Sequence, residues 1–275
     1  MKLKKYTLFR PRVRTKNHTA EILRPKYKKL PLFPYRVLIR LGSVTRLDES
    51  KFKVIVNPLQ AILNSSHKLK MKNLFEEKGV CQSMWYTIKN NILLLEGIPV
   101  NLEEISFPLI AKKIFGKKGE GMKKINNLEE LNLFLSGNTS EYFIEKFYNY
   151  SKEYRIHTSI ASDCFYACRK VRLKDSEEKW FFNSTNCNWL LESNENFDRP
   201  SNWEKLVQHS KLALEAVGLD VGAVDIRIQS NTTKKGELRE DPKFIVCEIN
   251  SAPSFGETTK EKYLKEIPKI IKEKE

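Results

Sequence analysis

Two short stretches toward the C-terminal end carry acids at spacings that suit a hard metal ion. They are Val221-Gly222-Ala223-Val224-Asp225-Ile226 and Val246-Cys247-Glu248-Ile249-Asn250-Ser251-Ala252-Pro253. In a strand, residues two apart project from one face, about 7 Å along it. Glu248 and Asn250 then share a face, while Cys247 and Ile249 turn into the core. Asp225 lies in an apolar run over 223–228 that pairs with the later stretch as a long-looped hairpin. Two carboxylates and a carboxamide oxygen on one sheet face are hard donors, matched to Mg²⁺ rather than zinc. The competing reading is a pair of solvated acids on an amphipathic hairpin.

A second group of residues suits polyphosphate. Lys112 sits on an apolar strand over 109–114, followed by Gly116-Lys117-Lys118-Gly119-Glu120-Gly121. Gly116, Gly119 and Gly121 let backbone N–H groups approach phosphate closely, and Lys112 supplies a point charge. The loop is neither a Walker A nor a Rossmann fingerprint, and a hairpin turn with solvated lysines is the plain alternative. Next come Glu145-Lys146-Phe147-Tyr148 and Glu153-Tyr154-Arg155. These offer a strand edge and apolar side chains for a nucleotide base, with a carboxylate for ribose hydroxyls. Arg155 and Arg169 fall on neighbouring expected strands and Asn183 on a third. Guanidiniums beside a metal site neutralise transferring phosphate or an oxyanion. His157 is a candidate base, although a histidine within a strand is more often structural.

The elements that must position these residues follow from pattern. Residues 1–34 are basic and hold four prolines, which reads as an extended arm with little regular structure. Residues 35–100 form a short N-terminal region with strands over 36–41 and 53–56. A helix there is capped by Ser65 or Ser66 and runs to Gly79. Residues 101–150 read as a small lid subdomain, with a capping box of Asn127 and Glu130 opening its helix. Residues 151–275 hold strands over 154–160, 164–171 and 179–183. A helix then runs from Pro200-Ser201 to Gly218, the two acid-bearing strands follow, and a last helix starts near Thr259. The class is α+β, with mostly antiparallel strands in the second half.

Composition bounds the partners. The chain has 275 residues and a formal net charge of +15, which favours an anionic partner: a nucleotide, nucleic acid or an acidic polypeptide. The five cysteines show no CxxC pair, which suits reduced thiols rather than disulfides or zinc. Neither a signal peptide nor an apolar run of about 20 residues is present, so the expectation is a soluble cytoplasmic protein with no membrane partner.

Taken in order, the lysine helix, lysine strand with glycine loop, Glu-Lys-aromatic segment, Asp strand and Glu-x-Asn strand resemble the ATP-grasp superfamily. The resemblance spans about residues 36–270. The Glu248-Ile249-Asn250-Ser251-Ala252-Pro253 ending, with Asn183 after Arg169, looks most like the RimK-type carboxylate–amine ligases; D-alanine–D-alanine ligase is a more distant likeness. It implies a nucleotide held between two α+β subdomains, with ATP and Mg²⁺ (two ions) as cofactors. It further implies that Lys68 and Lys112 are ATP-phosphate lysines and that Gly116 to Gly121 is the phosphate-covering loop. Glu145, Lys146 and Tyr148 match the adenine segment, Glu153 the ribose carboxylate, and Asp225, Glu248 and Asn250 the metal ligands. Arg155 and Arg169 resemble the basic residues facing the γ-phosphate and acyl-phosphate. The implied reaction joins a carboxylate to an amine through an acyl-phosphate; the basic surface adds an acidic peptide or carrier protein as a candidate substrate. Two rivals stay open: a small-molecule kinase using the same ATP site, and a basic nucleic-acid-binding protein whose nucleotide site is regulatory or inactive. For the latter, Trp180, Phe181, Phe182 and Trp189 are candidates to stack on bases, although aromatics at strand spacing are more often core.

Overall fold

The computed structural model describes residues 7–10, 37–116, 119–174, 180–181, 186–233 and 235–275. Strands β1 (Thr7–Arg10), β2 (Val37–Arg40) and β3 (Val54–Val56) form a parallel sheet in that order. The stretch expected as an arm without regular structure therefore supplies a strand. Its Thr-Leu-Phe run favours extended backbone, and pairing with β2 satisfies the edge of a strand that is buried throughout.

Helices α1 (Leu59–Ser66) and α2 (Lys68–Glu77) replace the single helix expected from Ser65 or Ser66. His67 interrupts them in extended conformation, and its Nδ1 accepts the Lys70 N–H at 3.2 Å. A histidine thus performs the N-capping role expected of a serine, and Lys68 opens the new helix.

The second sheet has six strands: β4 (Trp85–Lys89), β5 (Ile92–Leu95), β6 (Ile98–Pro99), β7 (Leu109–Lys113), β8 (Lys123–Ile125) and β9 (Tyr142–Lys146). Their order is β6-β5-β4-β9-β7-β8, so this unit begins near Trp85 rather than at residue 101. The missed hairpins turn on left-handed pairs, Asn90-Asn91 (φ 51° and 61°) and Glu96-Gly97 (φ 51° and 82°), as two-residue hairpin loops require. Helix α3 (Leu128–Leu135) covers the sheet through Leu131 and Leu135. Asn127 Oδ1 caps it by accepting the Glu130 N–H at 2.9 Å. Glu130 in turn accepts the N–H of Asn126 at 2.8 Å, one residue before the position a capping box uses.

The third sheet contains β10 (Lys152–Ser159), β11 (Ser162–Arg172), β12 (Cys187–Leu191), β13 (Val221–Ile228) and β14 (Phe244–Asn250). Every pairing in the order β12-β11-β10-β13-β14 is antiparallel. Of the strand expected over 179–183, residues 180–181 are not in a strand and the rest lies outside the described residues; β12 is the strand that pairs there. Helix α4 (Trp203–Val217) ends at Gly218 with φ 77°, a left-handed C-cap. It packs with α2 on one face of the sheet, where Tyr154, Ile156, Val224, Ile226, Val246 and Ile249 meet Leu206, Leu214, Met71 and Phe75. Helix α5 (Glu257–Glu273) covers β2 and β3 through Tyr263, Ile267, Ile270 and Ile271.

Buried Asn57 clasps the first and third sheets together. Its Oδ1 accepts the N–H groups of Asp220 and Val221 at 2.8 and 3.0 Å, and its Nδ2 donates to Arg40 O and Val221 O at 3.2 and 3.0 Å. No helix among the described residues is long and apolar enough to cross a membrane.

Candidate active site

With one face of the third sheet given to α2 and α4, the other collects charge. Register places Arg155, Asp225 and Glu248 side by side across β10, β13 and β14. The next row holds Lys170, Glu153 and Arg227 across β11, β10 and β13. Arg155 donates to both oxygens of Asp225, Nε at 2.7 Å and Nη2 at 2.8 Å. Lys170 Nζ is 3.7 Å from Asp225 Oδ2. Burial alone would raise the Asp225 pKa, but Arg155 and Lys170 hold it below the ordinary carboxylate range. Trp189 of β12 lies over both cations, its ring centroid 4.6 Å from Arg155 Cζ and 5.3 Å from Lys170 Nζ.

Asn250 Nδ2 donates to Glu248 Oε1 at 3.3 Å, so the Glu-x-Asn pair meets on the same face as Asp225. A bulge brings this about: Asp225 pairs with Glu248 and Ile226 with Val246, leaving Cys247 as the extra residue. Val246 and Ile249 therefore enter the core, whereas Cys247, expected there by simple alternation, does not. Burial pushes its thiol up to about 11, and it sits within the fields of Arg227 and Lys112.

The second sheet faces this one across β14. Lys68 Nζ donates to Gly116 O at 2.7 Å and lies 3.7 Å from Glu248 Oε2, joining the glycine loop to the acid pair. Burial would raise the Glu248 pKa, but Lys68 chiefly outweighs it and the carboxyl stays lowered. Gly119 and Gly121 have φ of 78° and 70°, and a Cβ at Gly119 would come within 2.8 Å of the Phe181 ring. Only glycine allows this loop to pack so closely. Glu145 accepts from Lys112 and lies 2.6 Å from the ammonium of Lys72. Burial would raise its pKa, yet Lys112 and Lys72 bring it down to about 2.

Lys68, Lys112, Arg155, Asp225, Glu248 and Asn250 are thus brought together. Others expected at the site are not. Arg169 pairs in register with the core residue Tyr154 and so points to the helix-covered face, where Nη1 meets Asp198 Oδ1 at 2.8 Å. Lys170 occupies the cleft side instead. Glu153 is 3 % exposed and spends its oxygens on Lys170 and Arg227, the latter at 2.9 Å, which withholds it from a ribose. Glu145 acts as a buried counter-ion. Lys146 exposes its side chain, its N–H donating to Met84 O and its carbonyl accepting from Ser83 Oγ. Burial raises the Tyr148 phenol well above its ordinary pKa. Asn183, Lys117 and Lys118 lie outside the described residues.

Lys72 and Lys170 join the site without having been singled out by sequence, and Trp189, weighed there only as a base-stacking aromatic, covers two of its cations. Lys72 had a legible signal, four residues after Lys68 on the same helix face. Lys170 had none, since the turn between β10 and β11 leaves register open by one residue and one residue reverses the face.

His157 is buried at 1 % exposure with Nδ1 3.1 Å from the Tyr263 hydroxyl. Burial, aided by Arg155, lowers its pKa to about 3, so it is a neutral packing group rather than a base. Between pH 3 and 6.5 the unfolded chain binds a proton here that the folded chain refuses. Stability is therefore lost as pH falls through that window. Between pH 6.5 and 5 the loss is expected to be about 2 kcal/mol. Urea unfolding at the two pH values measures it, and His157→Gln should show a correspondingly smaller drop.

The donor set fits Mg²⁺. Among the described residues no three His, Cys, Asp or Glu side chains form a cage for a metal on their own. Asp225 and Glu248 with the Asn250 carboxamide match an ion that takes one or two carboxylates and completes its shell from phosphates and water. Each Asp225 oxygen keeps a second lone pair beyond its bond to Arg155.

No family model and no curated protein matches the chain. Solved structures do. D-alanine–D-alanine ligase from Bacillus anthracis, complexed with ATP, superposes with TM-score 0.63 at 12% identity, covering 98% of this chain and 96% of that one. D-alanyl-alanine synthetase A from Vibrio cholerae gives 0.59 at 11% identity, covering 88% and 77%. The chain has the ATP-grasp fold. A third ATP-grasp structure, carboxyaminoimidazole ribonucleotide synthase from Aspergillus clavatus complexed with ATP, gives 0.53 at 16% identity. The match covers 79% of this chain and 53% of that ATP-grasp protein.

Proposed function

We propose that this chain is an ATP-dependent carboxylate–amine ligase, ADP-forming and RimK-like within the ATP-grasp fold. The observation that carries the reading is Lys68 at 3.7 Å from Glu248, with Lys112 in the field of the same carboxylate, beside the cluster of Arg155, Lys170 and Asp225. Phosphoryl transfer demands positioning and charge neutralisation, with little covalent work for the protein. Lys68, Lys112 and the glycine loop would hold the polyphosphate of ATP. Asp225, Glu248 and Asn250 would hold Mg²⁺. When bound, Mg²⁺ supplies charge neutralisation to the γ-phosphoryl oxygens. The substrate carboxylate attacks the γ-phosphorus, ADP departs, and an amine then displaces phosphate from the acyl-phosphate. Arg155 and Lys170, both against Asp225, would stabilise the tetrahedral oxyanion, the role first expected of Arg169.

The Glu248-Ile249-Asn250-Ser251-Ala252-Pro253 run supports the RimK-like assignment. Charge supports an acidic polypeptide as one substrate. Residues 1–36 hold twelve of the 49 basic side chains and one of the 34 acidic ones, so most of the excess lies ahead of the cleft-forming residues in sequence. The test is ADP and phosphate release from Mg-ATP across a panel of carboxylates and amines, acidic peptides included. Both products are expected only when a carboxylate and an amine are present together. A phosphorylated product without free phosphate would make the protein a kinase. Salt-steep oligonucleotide binding untouched by Glu248→Ala, without turnover, would favour nucleic-acid binding.

A further inference from the structure

Among the described residues Lys72 is the one lysine in the core, 1 % exposed on the face of α2 that also buries Met71 and Phe75. An ammonium is costly to bury unless it is paired. Its partner is Glu145 Oε1 at 2.6 Å, an ion pair without hydrogen-bond alignment, and the other Glu145 oxygen holds Lys112. The unit Lys72–Glu145–Lys112 therefore contains two cations and one anion. Were Lys72 absent, Lys112 and Glu145 would cancel and the unit would carry no net positive charge.

We propose that Lys72 is a positioning residue that neutralises Glu145, so that Lys112 presents a net positive charge to the polyphosphate of ATP. This rests on the reading above in which Lys112 faces the phosphates. Helical spacing makes the device economical: Lys68 reaches the glycine loop, and Lys72, one turn later, reaches beneath the second sheet. Lys72 is too deeply buried to touch the nucleotide and acts only through Glu145.

Calorimetric titration of the full chain with Mg-ATP and with adenosine tests this. Lys72→Met keeps the apolar stem and leaves Lys112 still paired to Glu145, so the variant is expected to melt cooperatively. Mg-ATP should bind about tenfold more weakly, as loss of one nearby charge in a partly buried site implies, with adenosine unchanged. Lys72→Met/Glu145→Gln removes both charges, returns the unit to one net positive charge, and should recover Mg-ATP affinity to within about threefold of wild type. Equal losses for adenosine and Mg-ATP, no loss at all, or no recovery in the double variant would each overturn the proposal. A wild-type chain that binds no Mg-ATP would instead sink the nucleotide-site reading, and this proposal with it.

Discussion

Glu248→Gln is expected to reduce turnover about a thousandfold while leaving the fold intact. The substitution keeps the shape of the side chain and removes the anion. The folded chain asks little of that anion, because Glu248 remains partly exposed and its ion pair with Lys68, at 3.7 Å, is long. On the proposed function, the charge matters when a divalent ion and a triphosphate are held. Asp225→Asn should be as damaging to turnover, but it also breaks a buried bidentate pair with Arg155 and so confounds activity with stability. Glu248→Gln is the cleaner variant. Steady-state ADP release alongside thermal unfolding gives both readouts, and full activity in this variant would remove Glu248 from the chemistry.

The largest effect on stability is expected one row away. Glu153→Ala leaves Lys170 and Arg227 facing each other without the carboxylate that neutralises both. Breaking a buried ion pair from one side costs about 3–5 kcal/mol. Lys170 retains a contact with Asp225 at 3.7 Å, which places the loss toward the lower end. Urea unfolding measures the change, and comparison of ATP with 2′-deoxy-ATP separates the two roles considered for this residue. A structural Glu153 predicts a large stability loss and an unchanged preference between the nucleotides. A ribose ligand predicts the reverse.

The contrast between Glu248 and Glu153 marks how far sequence could be read. Acid-bearing strands, their hairpin and their shared face followed from two-residue periodicity around Asp225 and Glu248, and the order of motifs pointed to the ATP-grasp fold. Features that depend on one residue of register did not follow. The β14 bulge turned Cys247 out of the core, and the β10–β11 register sent Arg169 to the helix face and Lys170 to the cleft. Side-chain type alone favoured the arginine, whereas parity decided for the lysine. Glu145 and Glu153 show a second limit. A carboxylate near a nucleotide motif can serve the ligand or hold a cation in place, and only the positions of Lys72, Lys112, Lys170 and Arg227 distinguish these. The two-residue turns at Asn90-Asn91 and Glu96-Gly97 had a visible composition. They join strands of the second sheet that begin at Trp85.

On the proposed function, Asp225, Glu248 and Asn250 share a divalent ion that grips a triphosphate against Lys68 and Lys112. Crystals grown with Mn²⁺ and a non-hydrolysable ATP analogue test it most directly, because manganese marks its own position by anomalous scattering. Metal density is expected about 2.1 Å from oxygens of Asp225 and Glu248, with the γ-phosphate between them and the two lysines. Nucleotide bound away from β14, or metal density that avoids both carboxylates, would contradict it.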